Sequence, residues 1–317
     1  MKILFIDATH PVLSEMLIQK GFECDIKNTL SKEEIEKILP LYDGIVIRSR
    51  FKIEKNFIDK ATQLKFIARP GAGLENIDVA YAESKGIKCL RSPEGNRDAV
   101  AEHAIGMLLS LFNHLNRVDA EVRKGIWKRT ENWGTELKGK TIGVIGYGFM
   151  GEAFVQRLSG FGVKVLVYDK YKSNYVQGIN YITESNMNDL FIESDVLSLH
   201  LPLTNETKHL VNSEFIQRFQ KNIYLINTAR GGIVNLSDLA EEIKRGKVLG
   251  ACLDVFEFED VSFETTQTEN TEGMKYLTQS DKVLLSPHIA GWTHESNEKI
   301  ARVLGEKIIA EFSELQK

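Results

Sequence analysis

The chain has 317 residues, too many for one ordinary domain and comfortable for two. Hydrophobic residues make up 43% and charged residues 26%, the balance of a folded globular protein rather than a disordered one. Its 40 basic residues nearly match 44 acidic ones, which excludes a strong electrostatic footprint for nucleic acid, and no apolar run approaches the roughly 20 residues that span a bilayer.

The first predicted strand is KILFID at 2–7. It has no long apolar region or small-residue cleavage site after it, so it does not read as a signal peptide. GIVIRS (44–49), KFIAR (65–69) and KCLRS (88–92) follow as further strands. Near-continuous apolar runs of this kind suit a parallel sheet covered on both faces. Between them, Ser31 and Glu34 form a capping box ahead of Ile35 and Ile38, and 78–85 reads as a helix closed by Gly86. Cys24, Cys89 and Cys252 are few, odd in number and widely spaced. Such usage points to reduced, buried thiols in a cytoplasmic protein, with neither a disulfide framework nor a metal site.

The stretch 99–115 is apolar on nearly all sides, as expected of a helix buried in a core or a subunit interface. A second strand series then begins with TIGVIG after Gly139 and continues at 163–169, 196–200, 223–228, 250–255 and 283–287. Helical segments separate most of these strands, one starting at Ser237 and ending at Gly246. This alternation predicts right-handed crossovers and doubly wound sheets of the α/β class. The polar segment 260–273 reads as a surface loop, and 296–312 as an amphipathic helix.

Gly146-Tyr147-Gly148-Phe149-Met150-Gly151 is a GxGxxG that leaves a predicted strand and opens a predicted helix. The first glycine permits the tight turn, the second lets the backbone approach a pyrophosphate, and the third lets helix and strand pack closely. Backbone N–H groups and the helix dipole then hold the anion. Asp169 ends the next strand 23 positions after Gly146, where a carboxylate accepts from ribose hydroxyls and repels a 2′-phosphate. NAD is thus expected over NADP, although Lys170 and Lys172 follow closely.

Three polar residues stand at or just beyond strands of the second series: Arg230 in NTARGG, Glu259 in DVFEFED and His288 in SPHIAG. In open α/β sheets that edge is where ligands bind. Hydride transfer to a 2-oxo acid requires a cation for the carboxylate, an acid that titrates near neutrality, and a carboxylate that fixes the imidazole tautomer. Arginine, histidine and glutamate fill those roles. Taken singly, each also suits a bland setting: a surface ion pair, a core histidine, a solvated acidic run.

With these residues the chain resembles the D-isomer-specific 2-hydroxyacid dehydrogenases over nearly its whole length. The resemblance rests on GKTIGVIGYGFMG with Asp169, HLPLTNETKHLVN (200–212), LINTARGGIVN (225–235), GACLDVFE (250–257) and SPHIAGWT (286–293). It implies two Rossmann-like or flavodoxin-like domains: a discontinuous substrate domain of 1–96 and 290–317, and an NAD-binding domain of 97–289. Arg230, Glu259 and His288 match the family's catalytic residues. His200, Leu201, Pro202, Thr207, Thr228, Ala229, Arg230, Asp254 and His288 are expected along the cofactor, Asp254 at the nicotinamide carboxamide. Ala72 and Gly73 in RPGAG are expected to hold the substrate carboxylate by backbone donors, beside Arg230 and His288. A homodimer through 99–115 is implied as well.

Within the family, 45–50, 67–78 and 127–143 are most similar to the phosphoglycerate dehydrogenase subgroup, in which Arg48, Arg50 and Arg69 would supply charge for a substrate phosphate. Glyoxylate, hydroxypyruvate, erythronate 4-phosphate and D-lactate remain alternative substrates, and an NAD-sensing corepressor-like protein is a remote alternative. The family's proline after the catalytic glutamate is replaced by Asp260, which leaves Glu257 as a rival to Glu259.

Overall fold

The computed structural model describes residues 1–176, 178–259 and 272–313. The chain divides into two compact units, one of Met1–Arg97 with the described residues from Trp292 on, the other of Asp98–Glu259 with the described residues up to Gly291.

In the first unit, β1 (Lys2–Phe5), β2 (Glu23–Ile26), β3 (Gly44–Val46), β4 (Phe66–Arg69) and β5 (Lys88–Arg91) form a parallel sheet in the order β2-β1-β3-β4-β5. This is the flavodoxin-like order. The apolar runs are buried because helices cover both faces, and the pleat sends alternate residues to each side. Leu4, Ile45 and Ile67 meet Ile35, Phe57 and Ile58 of the helices Lys32–Ile38 and Lys55–Lys60 on one face. Ile3, Phe5, Val46, Phe66 and Ala68 meet the other face's helices, Val12–Gln19 and His294–Phe312. The latter contributes Ala301, Leu304, Ile308 and Phe312, with the Phe312 ring stacked on Phe66 at 4.7 Å. Each large side chain so buried stabilises the unit by about 1.5–3 kcal/mol.

In the second unit, β6 (Thr141–Ile145), β7 (Lys164–Tyr168), β8 (Ile182–Glu184), β9 (Val196–Leu199), β10 (Ile223–Asn227), β11 (Val248–Leu253) and β12 (Val283–Leu285) pair in the order β12-β11-β10-β9-β6-β7-β8. All pairs are parallel. Counted from β6, this is the dinucleotide-binding order with a seventh strand, and the chain reverses direction across the sheet between β6 and β9. The helix Arg97–Phe112 buries Ala101, Ala104, Ile105, Leu108, Leu111 and Phe112 in its own unit's core, against Ile142, Val144, Ile226 and Cys252.

Local signals read from the sequence account for several boundaries. Ser31 and Glu34 make both bonds of the capping box, and Asp78 caps the helix Val79–Ser84 ahead of Gly86 in a left-handed conformation. The helix expected from Ser237 starts one residue earlier, at Leu236, because Asn235 accepts from the Asp238 N–H. Strands β2 and β8 were not expected, since both are edge strands with few buried side chains. The loop expected at 260–273 lies outside the described residues except for Glu272 and Gly273, which open a helix to Gln279. Among the described residues, no helix is long and apolar enough to cross a membrane.

Candidate active site

The glycine-rich turn leaves β6 at Gly146, whose φ of 93° is a left-handed conformation that side chains resist. A Cβ there would also lie 2.3 Å from the carbonyl oxygen of His200, on the neighbouring strand end. Gly151 presses the following helix onto the turn, where a Cβ would stand 2.1 Å from Gly146 O. Gly148 differs: nothing lies within 4 Å of its would-be Cβ, and it begins the helix Phe149–Arg157 with no side-chain cap. A helix N-terminus with no side-chain cap, begun by a glycine with room at its Cα, suits the pyrophosphate of a dinucleotide. The turn's other side chains divide, with Tyr147 buried against Tyr175, Met150 half-buried and Phe149 exposed.

Asp169 follows β7 and ties the same turn together. Its Oδ2 accepts from the Tyr147 N–H at 2.9 Å and its Oδ1 from the Tyr171 N–H at 3.0 Å. Leu201 packs half-buried against the core beside β9, and Thr228 places a buried hydroxyl with no hydrogen-bond partner among the described residues. Other expected cofactor residues serve the protein itself. The His200 imidazole lies 2.9 Å from Ser198 Oγ and packs on Phe154, and burial pushes its pKa down to about 3. Thr207 Oγ1 donates to the carbonyl of Pro202, closing the loop after β9.

Strands β10, β11 and β12 are neighbours, and their carboxyl ends carry the three polar residues singled out above. Past β10, Asn227 builds the turn that presents Arg230: its Oδ1 accepts from Ala229 N–H and its Nδ2 donates to Arg230 O. Arg230 itself donates from Nη1 to Ala229 O at 2.6 Å. Gly231 then passes so close to the β11 turn that a Cβ would fall 1.8 Å from Phe256 O, so only glycine permits this approach. In the turn it touches, Glu259 Oε1 accepts from the Phe256 N–H at 2.5 Å, while Oε2 lies 2.5 Å from His288 Nδ1. Glu257 is engaged elsewhere, 2.5 Å from His209 Nε2. The carboxylate beside the histidine is therefore that of Glu259.

His288 adopts φ 55°, a left-handed conformation that strains a side chain. Asp254, only 1% exposed, holds it there. The Asp254 carbonyl accepts from the His288 N–H at 2.7 Å. Its carboxylate accepts from Ser286 Oγ at 2.5 Å, Ile289 N–H at 3.0 Å and Ala290 N–H at 2.8 Å. Because the Ser286 hydroxyl has one proton and gives it to Asp254, His103 Nε2, 3.0 Å away, is the donor to Ser286. The residue expected at the nicotinamide is thus also the anchor of the histidine's loop. Asn227 and Ser286 lie inside the segments NTARGG and SPHIAG but are given no role there by the sequence, since an amide or hydroxyl at a strand end suits a plain turn as well as a site.

In the first unit, Asp7 gathers the backbone N–H groups of Arg48, Ser49 and Arg50 on one carboxylate oxygen. The Arg48 guanidinium then lies 4.2 Å from the centre of the Trp292 ring. Arg50 donates to Ile6 O. Arg69, expected to meet a substrate phosphate, is instead 8% exposed and donates to the carbonyls of Arg48 and Gly73. Arg91 donates to the carbonyl of Ala72. The 70–73 loop is therefore folded around arginine side chains.

Comparison with known proteins identifies the family. Residues 105–290 match the D-isomer specific 2-hydroxyacid dehydrogenase, NAD binding domain. The chain is 39% identical to the hydroxypyruvate reductase of Thermotoga maritima over 89% of each chain. It is 34% identical to the D-3-phosphoglycerate dehydrogenase of Archaeoglobus fulgidus over 98% of its own length, spanning 57% of that longer relative. A solved D-lactate dehydrogenase from Aquifex aeolicus, complexed with NAD and lactic acid, superposes with a TM-score of 0.82 at 30% identity over 100% of this chain and 97% of that one. The chain belongs to the D-isomer-specific 2-hydroxyacid dehydrogenases, NAD-dependent oxidoreductases that act on CH–OH donors.

Proposed function

We propose that this enzyme oxidises 3-phosphoglycerate to 3-phosphohydroxypyruvate, and that Arg230, Glu259 and His288 do the chemistry. The observation that carries the catalytic reading is the 2.5 Å contact of Glu259 Oε2 with His288 Nδ1, in a turn that Gly231 joins to the one bearing Arg230. NAD, held at the glycine-rich turn, supplies the hydride acceptor. His288 takes the C2 hydroxyl proton at Nε2, the nitrogen opposite the one Glu259 holds. Glu259 stabilises the imidazolium that results. Arg230 binds the substrate carboxylate and polarises the C2 oxygen. In reduction the same groups act in reverse, with His288 giving the proton back. The enzyme works as a homodimer.

The phosphate reading rests on the segments shared with phosphoglycerate dehydrogenases and on Arg48, which Asp7 and Trp292 hold in place. Hydroxypyruvate reduction is the second reading. The Thermotoga relative of similar length favours it, and so does the burial of Arg69 among carbonyls. Rates of NADH oxidation with 3-phosphohydroxypyruvate, hydroxypyruvate, glyoxylate and pyruvate decide between them. The first reading requires that 3-phosphohydroxypyruvate give the highest kcat/KM and that Arg48→Ala lower it about tenfold, the worth of one charge-assisted contact. Hydroxypyruvate should be nearly indifferent to that variant. Wild-type preference for hydroxypyruvate, or equal losses on both substrates, would establish the second reading instead.

A further inference from the structure

The chain leaving β7 carries two lysines directly after Asp169, in the segment DKYK at 169–172. Lysines at the adenosine ribose are what a 2′-phosphate needs, since they offer charge-assisted donors. Here both are already occupied. Lys172 Nζ donates to Tyr147 O at 2.6 Å, inside the glycine-rich turn. Lys170 Nζ is paired with Glu206 Oε2 at 2.7 Å, and the Tyr171 hydroxyl donates to the same oxygen at 2.8 Å.

Glu206 comes from the loop after β9, and β9 and β7 are the two strands that flank β6. The carboxylate therefore links both neighbours of the strand from which the glycine-rich turn leaves. Its loop is shaped independently of the pair, since Thr207 Oγ1 donates to Pro202 O and accepts from the Thr204 N–H. The bonds from Lys170 and Tyr171 hold the Glu206 carboxyl below its usual range, and the bond to Glu206 raises the Lys170 ammonium above its own.

We propose that Glu206 is a determinant of dinucleotide choice, acting by occupying Lys170 and so denying a 2′-phosphate the cation next to Asp169. The inference rests on the dinucleotide lying at the glycine-rich turn. Asp169 repels a 2′-phosphate by its own charge, whereas Glu206 acts through the lysine and is a positioning residue. Exposed ion pairs contribute little to stability, so this one can be removed without loss of the fold. Discrimination of this kind works against the wrong ligand rather than for the right one.

Calorimetric titration with NADPH and NADH tests the proposal in wild type, Glu206→Gln and Glu206→Ala. In both variants the ratio of Kd for NADPH to Kd for NADH should fall about threefold to tenfold, less at high salt, as one released and solvent-screened cation implies. Adding Lys170→Met should restore the wild-type ratio, and melting temperatures should stay level across the set. An unchanged ratio in both single variants would overturn the proposal, as would a gain that persists without Lys170. Wild type that binds neither dinucleotide would overturn the reading of the glycine-rich turn itself. Wild type that binds NADH while the variants keep its ratio would overturn only the role of Glu206.

Discussion

Glu259 divides one carboxylate between two tasks, closing its own turn through Phe256 N–H and holding His288 through Nδ1. Two results should follow at the level of single residues. His288→Asn should lower kcat by about 10²–10⁴-fold, the usual worth of general acid–base catalysis. NADH affinity, read by fluorescence titration, should change far less, because the imidazole acts on the substrate's proton. A variant keeping more than about a tenth of wild-type kcat would contradict the assignment. Steady-state assays of Glu259→Gln and Glu257→Gln should separate the two carboxylates, with the first losing about tenfold or more in kcat and the second a small part of that. In the sequence, spacing from Arg230 favours Glu259, with Glu257 as a minor rival. The two glutamates stand two positions apart in one turn, so what separates them physically is how the chain folds back at Phe256. Arg69 illustrates the same limit. An arginine at a strand end looks available to a ligand until the 70–73 loop folds over it.

At the level of elements, the chain leaving β11 organises the chain leaving β12. Asp254 accepts four hydrogen bonds from Ser286–Ala290 and keeps His288 in its strained conformation. Asp254→Ala removes three of the four, leaving the buried Ala290 N–H unpaired at a cost of about 1–3 kcal/mol before relaxation, and the part-buried Ser286 hydroxyl and Ile289 N–H at less. kcat should therefore drop at least about tenfold, with a lower melting temperature, since misplacement by an ångström costs that much or more. Asp254→Asn keeps one acceptor oxygen and should recover part of both. Equal kcat in the alanine variant and wild type would show that the loop holds its shape without this anchor. Elements with an apolar run were legible in the sequence, as β1, β3–β7 and β9–β12 show. β2 and β8 were not, because an edge strand such as ECDI buries too little to carry a pattern. The cores that close around these strands were legible only as faces, since which helix covers which face depends on the crossover path.

At the level of the whole molecule, the helix Arg97–Phe112 gives one side to its own unit's core and leaves Glu102 and Gly106 exposed. Just after it come several exposed large side chains: Leu115, Val122, Ile126, Trp127 at 77% and Trp133 at 78%. Aromatic residues exposed to this degree are typical anchors of an interface. Trp127→Glu combined with Trp133→Glu should turn the proposed dimer into a monomer in sedimentation velocity runs, and wild type that already sediments as a monomer would refute the dimer. The split construction of the first unit has a further consequence, for the order in which the protein can be made. Its sheet is finished early, yet Leu304, Ile308 and Phe312, which seal one face, emerge from the ribosome about 215 residues after Arg97. At roughly 5–20 residues per second that is a delay on the order of 10–40 seconds. Ile3, Phe5, Val46 and Phe66 spend it without their full cover, while the second unit has all its strands once β12 is out. Of these two units, the one whose sheet is made earlier is thus the later to be completed.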